Sequence, residues 1–141
     1  MKTCIWIGVL DEDLVVADVE MLVKQCHAEA AEGVVLLEYA DDIIEDRLIV
    51  DKAADSFGRV LGTKLDGLLT LVSELPPDEL NALAVFSSVS AYFGNPGQAD
   101  YAAANEVLNR IAWEMSRAWP ATRVRAIGWG PWRDGGMVGP D

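Results

Sequence analysis

Short apolar runs alternate with longer segments of helical period along the chain, and that alternation predicts an α/β fold. The first run, Cys4 to Leu10, reads as a buried strand. Asp18 then caps a helix whose Val19, Leu22, Val23 and Cys26 fall at helical spacing. Gly33 breaks that helix, and Val34 to Leu37 reads as the second strand. The clearest helical pattern runs from about Asp55 to Ser73, where Phe57, Val60, Leu61, Leu65, Leu68, Leu69 and Val72 form one apolar stripe ended by Pro76-Pro77. Leu83 to Ser88 is the third strand. A Gly94-Asn95-Pro96-Gly97 turn opens a helix to about Trp119, stopped by Pro120, and Arg123 to Trp129 is a last strand closed by Gly130-Pro131. Strand–helix units repeated in this way build a right-handed, mostly parallel sheet with flanking helices.

At 141 residues, 51% of them apolar, the chain fits a single domain, residues 1–141, with enough material for one core. A net charge of -12 repels phosphate backbones and anionic head groups. Binding to nucleic acid or a membrane surface would need a local basic patch, and Arg110, Arg117, Arg123 and Arg125 are instead spread among acidic and apolar neighbours. The acidic stretch after the first strand does not fit a signal peptide, and no apolar run is long enough to cross a bilayer, so a soluble, cytoplasmic protein is expected. Cys4 and Cys26 have no metal-ligand spacing and read as buried reduced thiols. The acidic loops Asp11 to Asp13 and Asp41 to Asp46 read as solvated charge, so no metal site is expected.

Lys64, Ser88, Tyr101 and Asn105 sit where ordinary core or surface logic would not first place them. Lys64 shares a helix face with Val60 and Leu68, where a charge must be paired or snorkel out. Tyr101 and Asn105 are one helical turn apart at a helix entrance. Ser88 ends an apolar strand at the sheet edge where open α/β folds bind ligands. Taken singly, these are a snorkelling lysine, a polar patch and a turn serine. Taken together they suit carbonyl reduction: a tyrosine protonates a developing alkoxide with help from a nearby ammonium, a serine hydroxyl holds the carbonyl oxygen, and an asparagine orders the relay.

The segment FSSVSAYFGNPGQADYAAANEVLN, with Ser88 thirteen residues before Tyr101 and Asn105 four after it, resembles the ketoreductase domains of polyketide and polyunsaturated-fatty-acid synthases, within the short-chain dehydrogenase/reductase superfamily. The likeness extends upstream through IIEDRLIVDKAADSFGRVLGTKLDGLLTL, where the family carries its lysine at the place of Lys64, and downstream through VRAIGWGPWRDGGMV, covering about Ile43 to Val138. The resemblance implies a partial Rossmann-like fold and NADPH-dependent reduction of an acyl-carrier-bound β-ketoacyl thioester. It assigns catalysis to Tyr101, Ser88, Lys64 and Asn105, and cofactor contacts to Tyr101, Lys64, Gly130, Pro131 and Trp132. Asp46 aligns with an aspartate that accompanies one stereochemical class of product in the family.

Two features depart from the family. LDEDLVVADVE follows the first strand where a glycine-rich turn would hold a pyrophosphate. That first strand looks like the family's third, as though the first two strand–helix units were absent. Tyr39-Ala40-Asp41-Asp42 also puts carboxylates where the family has a small glycine- and alanine-rich segment under the cofactor. The sheet flank left bare is expected to be covered by a complementing polypeptide or by a second copy of the chain. Three functions stay open from residues and resemblance: a reductase completed by a partner, a non-catalytic ketoreductase remnant acting as a structural or docking piece, and a small-ligand module.

Overall fold

The computed structural model describes residues 45–74, 77, 80 and 82–130 in full and residues 6–9 and 36–39 as backbone. Four strands and three α-helices follow one another in these segments: β1 (Trp6–Val9), β2 (Leu36–Tyr39), a 3-10 turn (Ile49–Asp51), α1 (Ala54–Glu74), β3 (Ala82–Ser88), the short α2 (Ser90–Phe93), α3 (Ala99–Ala118) and β4 (Arg123–Trp129). The strands and long helices fall where the apolar periodicity predicts, and the second strand runs on to Tyr39, two residues past its expected end. The expected helix from Asp18 and its break at Gly33 lie outside the described residues.

β1 pairs with β2 and β3 with β4, both in parallel, and β2 lies alongside β3. In the β1–β2 ladder Trp6 lies opposite Leu36 and Val9 opposite Tyr39, and β1 is the outer strand of that pair among the described residues.

β3 alternates in burial along its length, and Leu83 and Val85 point with Val124 of β4 into a core shared with Leu68 and Leu71 of α1 and Leu108, Ala112 and Met115 of α3. Each such leucine contributes roughly 1.5–3 kcal/mol by leaving water. Both long helices thus pack on the same side of the β3–β4 pair. Thr122 closes the return from α3 to β4 by donating its hydroxyl to the carbonyls of Pro77 and Leu80, at 2.9 and 3.1 Å.

The segment before α1 is fastened to the turn before α3. Arg47 N–H donates to the carbonyl of Gly97 at 2.9 Å, and the Gln98 amide donates to Asp46 Oδ2 at 3.1 Å. Between these surface contacts lies a buried ion pair, in which Lys52 Nζ bonds Asp100 Oδ2, the two side chains only 1% and 2% exposed. The same ammonium donates to the Glu45 carbonyl at 2.6 Å, and Asp100 Oδ1 accepts the Tyr101 N–H at 2.9 Å. Gly94 and Gly97 both adopt positive φ, 68° and 84°, which fits glycine and strains any other residue. At the start of α1, the Ser56 N–H and then Arg59 bond the Asp55 carboxyl and hold it below the usual carboxylate range.

Gly97→Ala is expected to lower unfolding stability by about 1 kcal/mol through strain at positive φ, read as a shift in urea midpoint. Lys52→Met or Asp100→Leu alone is expected to cost roughly 3 kcal/mol, because each strands a buried charge, while the double variant recovers most of that loss. A strictly additive double variant would show that the pair is not coupled. Because Asp55 is depressed in the folded state, its contribution is complete above the usual carboxylate range and disappears as pH falls through the depressed value. Asp55→Asn is expected to flatten that acid limb slightly, measured as urea midpoint against pH, since the group is exposed.

Candidate active site

Three elements carry the residues that the sequence singles out. Along α1, Ser56, Val60, Lys64, Leu68 and Leu71 are buried, a stripe turned towards α3. Lys64 is 4% exposed, so the snorkelling reading fails: its ammonium lies inside the helix pair. It sits 5.2 Å from the centre of the Tyr101 ring, a cation held against the ring face.

Tyr101 is half-buried in the first turn of α3, where Asp100 bonds its N–H. One turn later Asn105 is fully buried and donates its Nδ2 to the Tyr101 carbonyl at 2.8 Å. Its Oδ1 is buried without a hydrogen-bond partner. Such an orphan acceptor costs about 1–3 kcal/mol and marks a place where a donor belongs. The Asn105 carbonyl in turn accepts the Ser87 hydroxyl at 3.2 Å, which ties the end of β3 to this turn of α3.

Ser88 follows at the end of β3, opposite Trp129 of β4, with Val89 N–H donating to the Trp129 carbonyl at 3.0 Å. Gly128 faces this end of β3, where a Cβ on it would meet the Tyr92 ring at 3.5 Å and the Ser88 carbonyl group at 3.7 Å, ordinary contact distances. The Ser88 hydroxyl accepts the Ser90 N–H at 3.2 Å and lies 2.9 Å from the Ser90 hydroxyl. The turn-serine role and the strand-end position therefore coincide in one residue.

Lys64, Tyr101 and Asn105 are brought together by direct contacts, and Ser88 is joined to the same turn of α3 through its neighbour Ser87. Gly130 is exposed immediately after β4, and Pro131 and Trp132 lie outside the described residues. Sequence reasoning missed Lys52, Asp100 and Ser90. The ion pair joins residues 48 apart, and no periodic pattern reports such a contact. For Ser90 a signal was present in the Ser-x-Ser spacing at the start of a helix.

The site combines a phenol, an ammonium, a buried orphan acceptor and a strand-end hydroxyl. That set fits the reacting end of a reduced nicotinamide and its carbonyl substrate, since it offers a proton donor and a fixed cation. It does not extend to a dinucleotide pyrophosphate, for which the sequence after the first strand supplies no glycine-rich turn. Among the described residues no group of His, Cys, Asp and Glu could hold a metal ion, and no helix is long and apolar enough to cross a membrane.

The KR domain family matches residues 8–134. A polyunsaturated fatty acid synthase polypeptide of Thraustochytrium sp. is 41% identical over 124 residues, which is 88% of this chain and 4% of that protein. The ketoreductase from the first module of phoslactomycin biosynthesis in Streptomyces sp. superposes with a TM-score of 0.72 at 32% identity, covering 89% of this chain and 28% of that one. A ketoreductase domain from the bacillaene assembly line gives 0.71 at 30% identity, covering 88% of this chain and 30% of that one. The chain thus spans under a third of each of these relatives' length. The family match runs through nearly all of this sequence, and the chain belongs to the KR domain family of the short-chain dehydrogenase/reductase superfamily.

Proposed function

We propose that the chain is the proton-donating half of a ketoreductase that reduces a β-ketoacyl thioester, held on an acyl carrier, to the β-hydroxyacyl form. The observation that supports this best is the burial of Lys64 against the ring of Tyr101, since a buried ammonium is costly unless its charge serves a partner. NADPH, when bound, supplies the hydride to the β-carbon. The Tyr101 phenol gives its proton to the carbonyl oxygen, and the phenolate left behind faces the Lys64 cation. Ser88 donates a hydrogen bond to the same oxygen while negative charge develops on it. Asn105 fixes the turn that carries Tyr101 and offers its Oδ1 to the proton relay. In this reading Lys64 and Tyr101 would contact the cofactor, as would Gly130, Pro131 and Trp132 by the family resemblance.

For the pyrophosphate and adenosine, this reading calls on a complementing polypeptide or a second copy of the chain along β1, whose outer side pairs with no described strand. The second reading is a non-catalytic remnant serving as a structural or docking piece. Asp41 and Asp42 favour it, because two carboxylates in the family's cofactor-bearing segment repel a phosphate.

The purified chain is to be titrated with NADPH by fluorescence and calorimetry, with turnover of a surrogate β-keto thioester alongside. Saturable binding and turnover, with the latter reduced at least ~100-fold in Tyr101→Phe, would mean that the chain completes its own site by self-association. Absence of binding at millimolar cofactor would leave the enzymatic reading dependent on a complementing polypeptide and favour the remnant.

A further inference from the structure

The hydroxyl of Ser88 is surrounded in a way that decides where its proton goes. A serine oxygen has one proton to give and two lone pairs to receive. One lone pair of Ser88 Oγ takes the Ser90 N–H, at 3.2 Å. The Ser90 Oγ stands 2.9 Å away and is the next group that must be placed. Ser90 is only 7% exposed, and its hydroxyl has no other hydrogen-bond partner among the described residues. If Ser88 gave its proton to Ser90, the Ser90 proton would be buried without an acceptor, at a cost of about 1–3 kcal/mol. If Ser90 gives its proton to Ser88, both the hydroxyl proton and the N–H of Ser90 have an acceptor.

We infer that Ser90 is a positioning residue: its hydroxyl and its N–H together fill both acceptor sites of Ser88 Oγ, so that the Ser88 proton is left to point out of the strand end as a hydrogen-bond donor. The inference deepens the proposed function and rests on it, because a donor is what a ketone oxygen requires. It also polarises the donor, since an oxygen that accepts two hydrogen bonds gives its own proton more strongly. The arrangement is local. β3 ends at Ser88 and α2 begins at Ser90, so the sharp passage from strand to helix through Val89 folds the second serine back beneath the first.

The test reads the electrostatics at this oxygen without cofactor or substrate. In a Ser88→Cys chain, iodoacetamide alkylation of the introduced thiol is followed across pH by mass spectrometry of its peptide, which separates it from Cys4 and Cys26. Donation from Ser90 stabilises the thiolate, so the ionisation midpoint should lie about one pH unit lower than in S88C/S90A, seen as roughly tenfold faster alkylation below the midpoint. S88C/S90T should keep the low midpoint, and S88C/S90V, of the same shape without the hydroxyl, should match the alanine variant. The threonine–valine comparison stands if the alanine variant loses its wild-type circular dichroism. Coincident pH profiles with and without the hydroxyl at position 90 overturn the inference. A Ser90 effect in a chain that binds no NADPH would count against a self-completed site and leave this hydrogen bond standing.

Discussion

The buried pair of Lys52 and Asp100 is the constraint on which the arrangement around Tyr101 depends. An ammonium and a carboxylate withdrawn from water tolerate no loosening, because among the described residues each is compensated by the other and by the Glu45 carbonyl and Tyr101 N–H. The pair therefore sets where α3 starts relative to the segment entering α1. Lys64 and Tyr101 lie on the two helices thus fixed, and their distance follows from that anchorage and from the leucine packing further down. Gly94 and Gly97 permit the positive φ of the turn that meets Arg47 and Asp46.

Much of the fold can be read from the spacing of apolar residues. The stripe from Phe57 to Val72 and the run from Leu83 to Ser88 became α1 and β3 because burial alone selects those periods. The site was legible only through the combination of Lys64, Ser88, Tyr101 and Asn105. Each residue by itself obeyed ordinary surface or turn logic. What stayed hidden was pairing across the chain. Nothing in the pattern around Lys52 distinguishes it from a solvated lysine, since its partner is supplied by tertiary approach. The ladder between β1 and β2 was hidden for a similar reason: local sequence specifies a strand but not its neighbour.

Strand β3 shows how closely structure and chemistry are interwoven at the site. Its alternation sends Leu83, Val85 and Ser87 into the helix layer, and Ser87 turns the last inward position into a polar tie to Asn105. Ser88, one residue on, projects from the other face and is gripped by Ser90. Adjacent serines thus face opposite ways, one tied to α3 and the other to the start of α2.

The direct ladder between β1 and β2 has a consequence for how much variation such a sheet tolerates. A parallel strand offers its neighbour only backbone N–H and C=O groups at a fixed repeat, with no side-chain signature demanded by the bonding itself. Lys64, Ser88, Tyr101 and Asn105 sit on α1, β3 and α3, so a different strand at the β1 end would leave the contacts that join them in place.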